Sequence, residues 1–133
     1  MSVQEPRETN AALRRGIAAA RAGELEAALD HYAEALALDP GHLAARANRA
    51  SALLHLGRCE EAVEECDTGL ERSPCAAELY LVRGMALARL GREEAREDLI
   101  RHVELEPATR FKERVWRVLR ELDRTGAFKR RAA

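Results

Sequence analysis

Apolar positions return at three- and four-residue steps through most of the chain. Leu25, Ala28, Leu29, Tyr32, Ala35 and Leu36 form one series, Val63, Cys66 and Leu70 a second, and Leu99, Ile100 and Val103 a third. That spacing puts the side chains on one face of an α-helix. Glycine and proline interrupt the series at regular places. Gly23, Gly57 and Gly91 are 34 residues apart, as are Gly16, Ala50 and Gly84. Pro40, Pro74 and Pro107, like Ala28, Ala62 and Ala95, are separated by 34 and then by 33. A glycine supplies helix-ending backbone between two helical stretches, and a proline marks where the second must stop. Each period therefore predicts a helix–turn–helix pair, with about 14 residues per helix by division of the period.

Residues 23–40, GELEAALDHYAEALALDP, and residues 57–74, GRCEEAVEECDTGLERSP, show the repetition directly. One such pair cannot bury its own apolar face, so the chain repeats it until stacking does. The third copy has lost one residue between Gly91 and Ala95, and it carries Arg96 where the first two have Leu29 and Val63. Stacking leaves a last face open, and a stripe of Phe111, Val115, Val118, Leu119 and Leu122 with Arg, Lys and Glu opposite predicts an amphipathic helix that caps it. The expected organisation is a loose N-terminus over 1–8, one domain over 9–124 and a loose basic tail over 125–133. The domain divides into repeats 9–42, 43–76 and 77–107 and a capping helix 108–124. The expected fold class is all-α, with about seven helices.

A 34-residue helical pair with small residues at these offsets, an aromatic in its second helix (Tyr32) and a closing proline resembles the tetratricopeptide repeat. The resemblance covers residues 9–107. It implies a right-handed superhelix of antiparallel helix pairs, with a concave groove lined by the first helix of each pair.

Composition sharpens this. The sequence is 47% hydrophobic, 34% charged and only 4% aromatic, which suits Ala-, Leu-, Glu- and Arg-rich helix rather than sheet. Net charge is −1, but residues 1–109 carry −7 and residues 110–133 carry +6. No apolar run approaches the ~18 residues of a membrane span, and the first residues, MSVQEPRE, lack the apolar core of a signal peptide. Three cysteines, an odd count, point away from a disulfide framework and towards a reducing compartment, so a cytoplasmic location is expected.

Nothing in the sequence points to catalysis. It has no phosphate-binding glycine loop, no His-Glu-x-x-His and no Gly-x-Ser-x-Gly. Cys59, Cys66 and Cys75 with His55 can be read as a metal or redox cluster, but Cys66 stands where the first copy has Tyr32, and a free cysteine behaves as a small buried hydrophobe. The acidic runs at 60–61, 64–65 and 93–94 are expected to be solvated outer faces rather than paired catalytic carboxylates. No enzyme activity, cofactor or metal is expected.

A binding module remains. The 34-residue register sets Arg21, His55 and Arg89 in one row of the first helices, Leu13, Ala47 and Leu81 in a second, Ile17, Ser51 and Met85 in a third, and Arg14, Asn48 and Val82 in a fourth. The expected groove pairs an apolar floor (Leu13, Ile17, Leu81, Met85) and Ser51 with a row of cations. Asn48 would hydrogen-bond backbone, and Arg21, His55 and Arg89 would meet an acidic group on a protein or peptide partner. Chaperone-docking members of the resembled family hold a terminal carboxylate with Lys, Asn, Asn, Lys and Arg. Here those places are Leu13, Ile17, Asn48, Glu78 and Val82, of which only Asn48 matches, so a chaperone tail is not expected to fit. Two other readings stay open. Nine basic residues between Arg110 and Arg131 allow a polyanion or nucleic acid, although the aromatics Phe111, Trp116 and Phe128 are not interleaved for base stacking. Trp116, about 120° from the centre of the cap's apolar stripe, allows a weakly self-associating scaffold, that is, a homodimer.

Overall fold

The computed structural model describes residues 4–125, which form seven α-helices and, among the described residues, no strand. They are α1 (Gln4–Arg21), α2 (Leu25–Leu38), α3 (Leu43–His55), α4 (Cys59–Arg72), α5 (Ala77–Arg89), α6 (Glu94–Leu105) and α7 (Lys112–Thr125). Two boundaries differ from expectation. Residues 4–8, expected to be loose, continue α1 towards the N-terminus, while residues 1–3 lie outside the described residues. The capping helix starts at Lys112, because Pro107 and the turn after it hold residues 108–111 out of the helix. Thr125 still belongs to α7, and the rest of the basic tail lies outside the described residues.

The turns explain the punctuation. Gly23, Gly57 and Gly91 take φ of 81°, 79° and 70°, the left-handed region that a side chain disfavours. Beyond each, the next amide closes the helix it follows: Glu24 N–H donates to Ala19 O at 2.8 Å, Arg58 N–H to Leu53 O at 2.9 Å and Arg92 N–H to Leu87 O at 2.9 Å. This is the six-to-one bond of a glycine-ended helix, made three times.

Packing follows the same register. Each helix packs on the next in sequence, and the odd helices also touch one another, α1 on α3, α3 on α5 and α5 on α7. The odd helices thus form one layer. The main core runs between the layers through Tyr32, Ala50, Cys66, Leu79, Leu99 and Val115. Volume is exchanged across each pair. A Cβ on Gly16 would collide with the Tyr32 ring, and a Cβ on Gly84 would come within 2.7 Å of Leu99 Cδ2. In the middle copy the corresponding residues are Ala50 and the smaller Cys66, both fully buried. Cys66 takes the aromatic's place and, as burial removes it from water, its thiol is pushed up to about 12.

Charge follows the register as well. Arg15, Arg49 and Arg83 are spaced by 34, and each reaches an acid on the second helix of its own pair. Arg15 binds Glu34 at 3.2 Å, Arg49 binds Glu65, and Arg83 binds Asp98 through two hydrogen bonds of 2.8 Å. Glu65 also accepts from Arg46 at 2.7 Å, and Arg83 reaches Asp67 at 3.0 Å. Glu65 is therefore buried, which corrects the expectation that the 64–65 run is solvated: two arginines satisfy its carboxylate inside. The irregular Arg96 of the third copy is explained by its 2.7 Å ion pair with Asp123 of α7.

Candidate functional site

The inner surface of the odd helices carries the candidate site. His55 and Ser51 stand one turn apart at the end of α3, and the His55 Nδ1 lies 2.7 Å from the Ser51 carbonyl, so this nitrogen donates and the other edge of the ring faces outwards. α5 presents the adjacent Leu81 and Val82, with Met85 one turn further on. The turn into α7 then brings Arg110 and Phe111 against them, followed by Arg114 from the first turn of α7. These residues, with Leu54, enclose a cavity of about 310 Å³. Its floor is apolar, from Leu54, Leu81, Val82, Met85 and Phe111, while His55, Arg110 and Arg114 stand on its rim. The Arg110 guanidinium lies 4.8 Å from the centre of the Phe111 ring, a cation–π contact that holds both side chains at the mouth.

The anchoring of this corner comes from a hydrogen-bond chain below it. The buried His102 ring bonds the Ala77 carbonyl at 2.8 Å and Thr109 Oγ1 at 2.9 Å, and Thr109 Oγ1 accepts from Phe111 N–H at 3.2 Å. His102 thereby ties the start of α5, the end of α6 and the turn that carries Arg110 and Phe111.

A second cavity, of about 270 Å³, adjoins the first and shares Met85 and Arg114 with it. It lies between α5 and α7 and is completed by Ala88, Arg89, Val118, Glu121 and Leu122. The groove therefore continues past Arg114 instead of ending there.

Five of the expected groove residues meet here: Ser51, His55, Leu81, Met85 and Arg89. The other four do not line these cavities. Leu13, Ile17 and Asn48 are half-buried, the first two against the core, and Arg21 is exposed at the end of α1. Arg89 is not a free cation, since its guanidinium donates to the Leu54 carbonyl at 2.8 Å and closes the end of α3. Arg110, Phe111, Arg114 and Val118 escaped the sequence rows. A signal for two of them exists: Arg114 and Val118 stand 33 residues beyond Leu81 and Met85, so the rows continue across the one-residue deletion into α7.

The basic residues of the cap do not form a single stripe. Arg110 and Arg114 line the groove, Arg124 is paired with Glu121, and Lys129, Arg130 and Arg131 lie outside the described residues. Trp116 is 44% exposed. Among the described residues no three His, Cys, Asp or Glu side chains converge on a metal position, and no helix is long and apolar enough to cross a membrane.

Comparison with known proteins gives a consistent picture. The family model for the tetratricopeptide repeat matches residues 19–90. The Hsp70-Hsp90 organizing protein of Triticum aestivum is 31% identical over 91 residues, which is 63% of this chain and 16% of that protein. The chain thus spans only a small part of the length of such relatives. Among solved structures, the first TPR of Spaghetti (RPAP3), bound to the HSP90 peptide SRMEEVD, superposes with a TM-score of 0.83 at 26% identity, covering 91% of this chain and 94% of that one. The second TPR domain of human RPAP3, in complex with the HSP70 peptide SGPTIEEVD, gives 0.80 at 25% identity, covering 90% and 98%. These neighbours dispute the expectation that a chaperone tail does not fit. That expectation weighed Glu78 against a terminal carboxylate, and it lacked the cations Arg110 and Arg114 in the same groove.

Proposed function

This chain belongs to the tetratricopeptide repeat family, and from that premise we propose that it is a non-enzymatic adaptor that holds a segment of a partner protein in its concave groove. The observation that carries this reading is the apolar cavity between α3, α5 and α7, rimmed by His55, Arg110 and Arg114. A concave apolar surface with a few convergent polar groups suits a bound segment. Apolar side chains supply the anchoring area, and cations at the rim orient an acidic group. The partner segment is apolar and acidic, the class to which SRMEEVD and SGPTIEEVD belong. The proposed compartment is the cytoplasm, supported by the odd cysteine count.

Titration of the isotope-labelled chain with SRMEEVD, followed by amide shifts, tests the reading. Shifts are expected at Ser51, His55, Leu81, Met85 and Arg114. Shifts confined to the outer face of α7, around Trp116 and Arg117, would move the binding surface to the cap. A second reading, self-association through the cap, rests on the exposure of Trp116.

A further inference from the structure

We infer that the groove reads a carboxylate side chain in the middle of the bound segment, at Arg114, with one apolar anchor on either side, and that it needs no free chain end. The inference rests on the groove reading above and specifies its ligand as apolar, acidic, apolar in sequence order.

Three observations place the acid. No carboxylate lines the α3–α5–α7 cavity, whereas two arginines and a histidine do. Among the described residues, Arg110 and Arg114 have no carboxylate partner, unlike Arg15, Arg49, Arg83 and Arg96, each of which is paired with an acid of the fold. Their charge is therefore available to a ligand. Away from these cavities the expected groove residues of α1 offer no such group, since Leu13 and Ile17 are apolar and half-buried against the core.

The position of Arg114 sets the acid inside the segment instead of at its end. Arg114 lies between the two adjoining cavities and lines both. One has Leu81, Met85 and Phe111 for an apolar side chain, and the other has Met85, Ala88, Val118 and Leu122. Glu121, the one acid on the second cavity, is held by Arg124. A segment that seats a carboxylate on Arg114 can continue in both directions and leave an anchor in each cavity. The peptides bound by the two neighbours contain this order, Met or Ile, then two glutamates, then Val.

The test uses three fluorescein-labelled peptides on the full chain: SRMEEVD with a free C-terminus, its C-terminal amide, and the amide with both glutamates changed to glutamine. Amidation alone is expected to change affinity less than about threefold, while loss of the two glutamates weakens it by about tenfold or more, as expected for removing a charge partner. Arg114→Glu is expected to weaken the amide by about tenfold or more, and Arg114→Gln by less. Arg117→Glu, the same charge change on the same helix outside both cavities, is expected to leave affinity unchanged. Circular dichroism confirms that each variant folds. If amidation costs as much as losing both glutamates, the anion is read at the chain end, and this inference falls while the groove reading stands. If Arg117→Glu weakens binding as much as Arg114→Glu, only net charge is at work, and the inference falls. If none of the three peptides binds wild type, both fall.

Discussion

Tyr32 is 2% exposed and fills the space that Gly16 leaves by having no side chain. Truncation of a buried aromatic loses both its transfer free energy and the contacts around the hole, so Tyr32→Ala should cost about 3 kcal/mol in urea unfolding. A change of less than about 1 kcal/mol would mean the site collapses without loss. Tyr32 and Cys66 occupy matching places in successive repeats, and burial raises both above their ordinary values, Cys66 from about 9 to about 12. Below about pH 9 the Cys66 thiol is protonated folded and unfolded, and its full contribution is present; between about 9 and about 12 the unfolded thiol loses its proton while the buried one must keep it. Stability should therefore fall across that window. Cys66→Ala should flatten the fall without abolishing it, because Tyr32 titrates in the same sense. Equal slopes in wild type and Cys66→Ala would remove Cys66 as the cause.

At the scale of helices, apolar spacing and the glycine and proline series were enough to find three pairs and a cap, because each marks a backbone event: a left-handed turn, or a helix that cannot continue. The ion pairs between the layers were not found that way. Charged residues at helical spacing look alike whether they point out or across, and only the partner's burial separates them. The 34-residue row of Arg15, Arg49 and Arg83 was nevertheless present in the sequence. Its members differ in worth. Asp98 has a side chain only 8% exposed, and removing Arg83 would leave that carboxylate buried and unpaired. Arg15 and Glu34 are about half exposed and screened by water. Arg83→Ala should cost about 3 kcal/mol, whereas Arg15→Ala should stay within about 0.5 kcal/mol. Equal effects in thermal or urea unfolding would show that burial does not grade the row.

At the scale of the whole molecule, the groove and the basic cap were separate alternatives in the sequence, with −7 over residues 1–109 and +6 over residues 110–133. The fold joins them, since the one-residue deletion in the third copy hides that α7 continues the rows of the odd helices. Arg110 and Arg114 then face inwards, and Trp116 stands exposed on α7 with Lys112, Glu113 and Arg120 at three- and four-residue steps from it. These steps put all four on one side of the helix. Two copies of α7 paired antiparallel about a two-fold axis would set Trp116 against Trp116, the self-contact a symmetric dimer requires. The patch is small, so the association should be weak and visible only as concentration rises. Sedimentation of wild type should show a mass average that climbs with concentration, and Trp116→Ala should remain monomeric across the same series. Monomer at every concentration in wild type would remove self-association, and would leave the outer face of α7 as a solvated end to the stack.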